Sequence, residues 1–590
     1  MAAGIPPAKQ ARRYIWWGLS AIAITVVLAG AWVGTRGLMA KSELESLADL
    51  SSDLRSTLTA QDRSAALPLV DQIGAHAARA SALTSDPVWA LAEYIPWVGP
   101  NLRVARVTAM QLDAVMRESA PPVLAALETL EAGIGDDGRL DVAGVPALAP
   151  ELHRAAAALD RASAALDALD ENAVLPQLAS GMLELRAALD MAHPAVDALA
   201  RASVLLPTLL GSDEPTSILV LAQNNAELRT GGGITGTFIE MQVHDGEISM
   251  IAQSDSSNFD VKSTPITPIP DSTTALYGDS VGRWVQNASM TPDFELTAAI
   301  ALARWNEYTG RSPEVVVSVD PQVLGAVLRA VGPVTLDGGE LNADNLVQRL
   351  LVDPYVQLDS EQQAVLFQQA VAAVFERVSS GGFDPLALAE ALATPVEEGR
   401  ISVWSSNEAV RAAVAGTALA GPAARQQNAG DSAFAVYFND ATGGKMDVYL
   451  GVAITAGIES CRPDGLAEVV VDVELTSNAP ADAEFTLPRS VTGGGMWGTG
   501  IGDIGTLITV SAPEGYFFGG VINEGKAVRP GDVIESGFPS SVTRINLSPG
   551  QTESAQFRFI APKPGVADPV ILHTPLLTQP DVTILPSGCR

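Results

Sequence analysis

The densest group of side chains that could do chemistry is Gln223-Asn224-Asn225-Ala226-Glu227-Leu228-Arg229-Thr230-Gly231-Gly232-Gly233, directly after the apolar run Ser217–Ala222. It sets amides, a carboxylate and a guanidinium beside flexible backbone at the C-terminal end of a strand, the edge where open α/β sheets bind ligands. Arg229 could grip a phosphate or carboxylate with two parallel hydrogen bonds, and the glycines could offer N–H groups to an anion. An internal Arg229–Glu227 ion pair holding a glycine-rich turn explains the same residues equally well. Asp320, in Asp320-Pro321, could hold a cation or cap a helix. The candidate ligand-binding residues are therefore Asn224, Asn225, Glu227, Arg229, Thr230, Gly231, Gly232 and Asp320. A second polar group, Asp440, Lys445 and Asp447 in the turn NDATGGKMD, reads as a hinge or ion pair between domains.

Other motif matches fail on context. Gly500-x-Gly502-x-x-Gly505 leads into the strand-like LITV, whereas a dinucleotide fingerprint needs a helix N-terminus there. Gly278-Asp-Ser280-Val-Gly282 has no buried strand before it to project the serine. Gly443-Gly444-Lys445 lacks P-loop spacing, and five scattered histidines without H-E-x-x-H offer no zinc-hydrolase pattern.

Four kinds of element must position these groups. Residues 14–35 (YIWWGLSAIAITVVLAGAWVGT) carry no charge, and a helix of about 22 residues rises about 33 Å, enough to span a hydrocarbon core of about 30 Å. Trp16, Trp17 and Trp32 sit near its ends, as interfacial indoles do. Lys9, Arg12 and Arg13 precede it and acids begin at Glu43, which predicts a cytoplasmic tail over 1–13 and an extracytoplasmic remainder. A cleaved signal peptide at Ala29-Gly30-Ala31 is the rival, although the apolar run continues through Trp32 and Val33.

Residues 36–212 are Ala- and Leu-rich. Leu152, Leu159 and Leu166, then Met182, Leu185, Leu189, Ala192, Val196 and Leu199, keep the 3–4 spacing of packed antiparallel helices. Pro121-Pro122, Gly133–Gly138 and Pro176 separate the segments, and Pro194 is expected to kink the last. Residues 213–450 alternate strands and helices, as in an α/β domain: strands at Ser217–Ala222, Phe238–Val243, Glu314–Val319, Ile401–Ser405 and Phe434–Phe438, helices opening at Thr291-Pro292, Asp320-Pro321 and the capping box Ser360-Glu-Gln-Gln363. Residues 451–590 show short β runs between Gly, Pro, Asn and Asp turns, the pattern of an all-β sandwich.

Composition bounds the function. With 36 Lys+Arg against 68 Asp+Glu the net charge is −32, which argues against a nucleic-acid partner. The five basic residues and no acid before Glu43 leave the rest more acidic still, so it repels anionic surfaces unless a local basic pocket intervenes. The only two cysteines, Cys461 and Cys589, could pair in an exported chain.

The segments QNNAELRTGGGITGTF, VVVSVDPQVLGAVLRAVGPVTL and VYFNDATGGKMDVYL, in this order from Thr216 to about Thr476, resemble an actinobacterial envelope-protein family catalogued as domain of unknown function 4012. The resemblance implies a membrane-anchored extracytoplasmic protein without an assigned activity. A weaker similarity runs to the LytR-CpsA-Psr glycopolymer transferases, which move glycan from a polyprenyl-pyrophosphate carrier with arginines, acids and Mg²⁺. SILVLAQNNAELR resembles their first strand and Asp-x-Arg turn, with Glu227-x-Arg229 in place. Their later arginines are absent here, where the stretch reads Asp359-Ser-Glu-Gln-Gln-Ala.

The expectation is therefore a transmembrane helix, a helical bundle, a LytR-CpsA-Psr-like α/β domain and a β-sandwich in the plasma membrane, single-pass. It would bind a cell-wall glycan, a polyprenyl-linked intermediate or an envelope protein. The alternative is a glycopolymer phosphotransferase, with Arg229 on pyrophosphate and Mg²⁺ on Glu227 or Asp320.

Overall fold

A computed structural model describes residues 8–59, 63–132, 144–211, 214–383, 385–523, 525–529, 531–566 and 568–586. Two compact units result, one formed by residues up to 132 and 143–204, the other from Leu205 onward.

The first unit is helical. Helix α1 (Ala8–Thr59) continues the apolar run without a break into the bundle. Among the described residues it alone is long and apolar enough to cross a membrane: its most apolar 18-residue window has a mean hydropathy of 1.8 and none of it is buried. Such a run serves a membrane span or a signal sequence. Beyond Arg36 it packs on α2 (Arg63–Thr84), burying Ala40 and Leu47 with Ile73, Ala77 and Ala80. There follow α3 (Pro87–Ala92), α4 (Gly99–Glu118), α5 (Ala120–Ala132), α6 (Val145–Asp167) and α7 (Pro176–Leu209).

The seam read from spacing is the core. Leu159 and Leu166 of α6 with Met182, Leu189 and Val196 of α7 are buried around Val104 of α4, and the alanines Ala155 and Ala162 let the helices approach. Pro121-Pro122 lie in the first turn of α5, where missing N–H groups cost nothing, and α7 runs on as helix through Pro194. The Gly133–Gly138 breaker lies outside the described residues.

The second unit is layered. Its first sheet contains β1 (Thr216–Arg229), β2 (Gly232–His244), β3 (Glu247–Asp255), β4 (Val315–Val319) and β5 (Ile401–Ser405), in the order β3-β2-β1-β4-β5. Only β1 and β4 are parallel. Helix α8 (Phe294–Thr309) makes the crossover between them, its Trp305 stacked with Phe238 in a buried core with Leu219, Leu221 and Val316. Asp320 caps α9 (Pro321–Val331) after β4, as its sequence predicts. Two caps shift. Asp293 rather than Thr291 caps α8, and Asp359 with Gln362 forms the capping box of α10 (Ser360–Ser379), one residue before the expected one. Helix α11 (Pro385–Glu397) packs on α9 and leads through Arg400 into β5.

Apart from a short hairpin of Val334–Leu336 with Gly339–Leu341, the remaining strands are β6 (Ala433–Asp440), β7 (Leu450–Cys461), β8 (Ala467–Ser477), β9 (Ile504–Ser511), β10 (Phe517–Asn523), β11 (Lys526–Val528), β12 (Gly531–Glu535), β13 (Phe538–Leu547), β14 (Thr552–Ile560), β15 (Val570–His573) and β16 (Asp581–Ile584). They make a six-stranded sheet, β11-β10-β14-β8-β7-β16, and a five-stranded sheet, β12-β13-β9-β6-β15. One core lies between them: Phe434, Val436, Phe438, Ile508 and Ile545 face Ile454, Val471, Val473, Phe557 and Phe559.

Strand β6, expected with the α/β elements, pairs instead with β9 and β15. All eight of its residues are buried, so it has no alternation by which its sheet could be read. Cys461 closes β7. Cys589, and with it the Cys461–Cys589 pairing, lies outside the described residues.

Candidate functional site

The cluster around Arg229 begins with a bulge. β1 and β2 pair regularly to Ala222, and the register then slips between Ala222 and Gln223 and again between Asn224 and Leu228. Released from the ladder, Asn225, Ala226 and Glu227 turn toward other parts of the fold, so the segment read as a turn after a short strand is the irregular end of a long one. The hairpin closes through Thr230 and Gly231. Gly232 has φ +129°, and a Cβ there would lie 2.5 Å from the Gln223 side-chain oxygen.

The expected anion-binding N–H groups are already engaged. Gly231 donates to the Ser289 carbonyl (3.1 Å), Thr230 to Asn439 Oδ1 (3.0 Å) and Gly233 to Gln223 Oε1 (3.3 Å). With the Thr230, Gly231 and Gly233 N–H groups bound in this way, the glycines serve close backbone approach.

Arg229 is 6 % exposed. Its Nη2 donates to Glu227 Oε1 (3.1 Å), its Nη1 to the Leu228 carbonyl (2.7 Å), and both Nε and Nη2 to Asn287 Oδ1 (3.1 and 2.9 Å). Asp440 Oδ2 stands 4.0 Å away. The second Glu227 oxygen accepts from Lys445 Nζ (3.2 Å), which also lies over the Tyr355 ring. Tyr355 Oη in turn accepts from Asn224 Nδ2 (2.7 Å). Asp447 Oδ2 accepts from the Leu228 N–H (2.7 Å). The two groups that the sequence kept apart, Glu227/Arg229 and Asp440/Lys445/Asp447, thus form one buried network joining the end of β1 to the NDATGGKMD turn. Within that turn a Cβ on Gly444 would meet the Val491 carbonyl at 2.2 Å.

Three carboxylates share two cations here, and burial decides how. Burial pushes Glu227 up, but Lys445 and Arg229 outweigh it and leave its carboxyl below the usual value. Burial and the charge of Glu227 push Asp440 up to about 6, against Arg229 and the N–H groups of Thr442 and Gly443. Asp447 is pushed well above the usual range by burial and by Asp440. Glu227 is thus the carboxylate that the two cations favour as an anion, while burial disfavours the charged forms of Asp440 and Asp447. Each nitrogen of the Arg229 guanidinium already donates to the protein and the side chain is buried, so it presents no open face to a pyrophosphate.

Asp320 lies in a second buried pair. Its Oδ1 accepts from the N–H groups of Gln322 and Val323 (3.0 and 3.2 Å), and its Oδ2 from Arg400 Nη1 (2.6 Å) and Asn225 Nδ2 (3.2 Å). Burial pushes its carboxyl up, with Arg400 opposing. Glu227 and Asp320 therefore do not fit Mg²⁺, because the oxygens of both are taken by cations and N–H donors. Among the described residues no group of three or more His, Cys, Asp or Glu could hold a metal ion.

Arg400, Asn287 and Asn439 were missed in the sequence, as was the segment after β15. Arg400 donates to the Leu576 carbonyl (2.9 Å) and Asn225 to the Pro575 carbonyl (2.9 Å). The chain at 574–579 thus runs as a strap across both pairs. Gly399-Arg400 directly before a strand was the one available signal.

An open concavity of this unit lies elsewhere. A groove of about 420 Å³ is lined by Gln322 and Arg329 of α9, Glu390 and Thr394 of α11, Glu398, Arg400 and Gln579. It lies beyond the C-terminal end of β4, the expected edge of the sheet, with Arg400 forming its floor toward Asp320. Exposed Arg329 gives it a donor and exposed Glu390 an acceptor, while Glu398 is already paired with Arg400 and Gln579 (2.8 Å), and Gln322 Nε2 donates to the Leu577 carbonyl (3.4 Å).

Residues 213–355 match the model of a family described as Protein of unknown function (DUF4012). The match spans β1 to the residues just before α10 and stops short of the NDATGGKMD turn, where the sequence resemblance extended. No curated protein matches. Among solved structures, protein gbs0355 from Streptococcus agalactiae is similar at 13 % identity and a TM-score of 0.23, over 33 % of this chain and 71 % of its own. Lin1025 protein from Listeria innocua is similar at 12 % identity and a TM-score of 0.20, over 35 % and 79 %.

Proposed function

We propose that this is a single-pass plasma-membrane protein with a cytoplasmic N-terminus, whose extracytoplasmic body binds an envelope glycan without transforming it, in envelope or exopolysaccharide assembly. The carrying observation is the contrast in access. The charged residues at Arg229 are consumed in a buried network, whereas a polar groove of about 420 Å³ opens beside them. Polar and charged side chains interspersed with Ala391, Pro395 and Leu577 suit a hydroxyl-rich ligand with apolar ring faces better than a lipid tail. The basic residues before the apolar run and the acids after it favour the orientation, and the unburied run favours a retained anchor. The phosphotransferase alternative is less well supported, since it needs free guanidinium donors at Arg229 and a carboxylate free for Mg²⁺.

The test is a binding titration of the full chain in nanodiscs against soluble and polyprenyl-linked envelope glycans. Binding that weakens about tenfold in Arg329→Ala, the loss of one hydrogen bond from a charged donor, supports the reading. Failure of every glycan to bind, or binding indifferent to both Arg329→Ala and Gln322→Ala, refutes it, and release of polyprenyl pyrophosphate would favour the transferase.

A further inference from the structure

In the helical unit, five large apolar side chains around one turn are exposed: Leu91 (71 %), Tyr94 (81 %), Ile95 (51 %), Trp97 (90 %) and Val98 (48 %). So much contiguous apolar surface on an extracytoplasmic body marks a contact site. The turn is held rigidly. Gly99 N–H donates to the Ile95 carbonyl (2.8 Å), Asn101 Nδ2 to the Trp97 carbonyl (2.9 Å), and Glu93 is clamped by Arg106. Trp97 itself sits at φ +66°, an uncommon conformation for a bulky residue, which carries its indole outward from the clamped backbone.

Its position relative to α1 identifies the occupant. Arg36, four residues beyond Trp32, donates to the carbonyls of Leu83 and Ala82 at the end of α2 (2.8 and 2.5 Å) and pairs with Asp86 (3.1 Å). The Trp32 indole N–H reaches the same Asp86 carboxylate (3.4 Å). Trp89 of α3 is buried against α1, where a Cβ on Gly37 would touch its ring at 3.8 Å. The connector from α2 to α4, which carries the aromatic turn, therefore starts beside Trp32 and Arg36, where the apolar run ends. We infer that the Leu91–Val98 turn is a second membrane contact, placing Tyr94, Ile95 and Trp97 in the outer-leaflet interface beside the spanning helix. Indole and phenol rings prefer that depth, and an acidic body needs an apolar rather than an electrostatic hold on lipid. With two points of attachment the bundle is fixed in tilt and rotation about α1. This inference rests on α1 being a retained anchor.

The test is tryptophan quenching in the full chain, reconstituted in nanodiscs containing phosphatidylcholine brominated near the headgroup or near the chain terminus. Wild type minus Trp97→Phe isolates Trp97, and wild type minus the Trp16→Phe/Trp17→Phe double variant isolates the anchor. Trp97 is exposed, so Trp97→Phe leaves the fold intact. A Trp97 signal that is blue-shifted and loses most of its intensity with shallow bromine supports the inference. A Trp97 signal with water-exposed emission, unquenched while Trp16 and Trp17 are quenched, overturns it and leaves the anchor standing. So does quenching lost together with a dimer or a bound protein that covers the turn. If neither signal is quenched, the anchor reading fails and the inference with it.

Discussion

The Arg229 cluster and the Gln322–Arg329 groove lie in one unit, with the Asp320–Arg400 pair on the groove side, yet they hold charge in opposite ways. At Arg229 each guanidinium nitrogen donates to an internal acceptor, and pairing with Glu227 offsets the cost of burial. At the groove Arg329 is exposed to solvent. The same residue types thus serve architecture where they are enclosed and recognition where they are open. Access, not charge, separates the two.

The largest expected effect falls on the buried side. Arg229→Met leaves Glu227 and Asp440 short of a cation in the interior and should cost about 3–5 kcal/mol, read as a large drop in thermal midpoint. Gly232→Ala comes next. Its Cβ would strike the Gln223 amide at an unfavourable φ, for a loss of about 1–3 kcal/mol by denaturant titration.

Acidity gives a third comparison. Asp440 and Asp447 have folded pKa values above their unfolded ones, so their contribution is fully present below about pH 4. For Asp440 it is lost as pH rises through about 6. Glu227 has the opposite shift, so its contribution is lost as pH falls below the ordinary carboxylate range. The buried carboxyls of Asp440 and Asp447 should therefore lower stability as pH rises from about 5 toward 7. Asp440→Asn should flatten that decline, which thermal melts across pH 4–8 would show. An unchanged decline would mean that Asp440 is ionised throughout.

The smallest effect on stability belongs to the groove. Arg329→Ala should shift stability by no more than about 0.5 kcal/mol, because its side chain is exposed. If it unfolds the protein instead, the contrast between the two regions fails.

What the sequence disclosed follows the range of each interaction. The Asp320 cap and the Leu159–Leu166 seam depend on neighbours a few residues away, and both stand where their spacing put them. Glu227 and Arg229 were legible as a pair because they are two residues apart. Their other partners, Asn287, Asp440 and Lys445, arrive by folding from distant chain. No local pattern announces them, so an internal network and an anion site looked alike. The groove was illegible for the same reason, since α9, α11 and Gln579 meet only in the folded chain. The sheet that β6 joins is likewise not legible locally, because a strand buried on both faces has no period to read.

The central claim is that Arg229 holds the fold and does not bind the ligand. A double-mutant cycle of Arg229→Met and Glu227→Gln, followed by equilibrium unfolding of the full chain, tests it most directly. The account expects a large loss from Arg229→Met that Glu227→Gln partly restores, with a coupling of about 1–3 kcal/mol between them. An Arg229→Met variant as stable as wild type, with no coupling to Glu227, would contradict it.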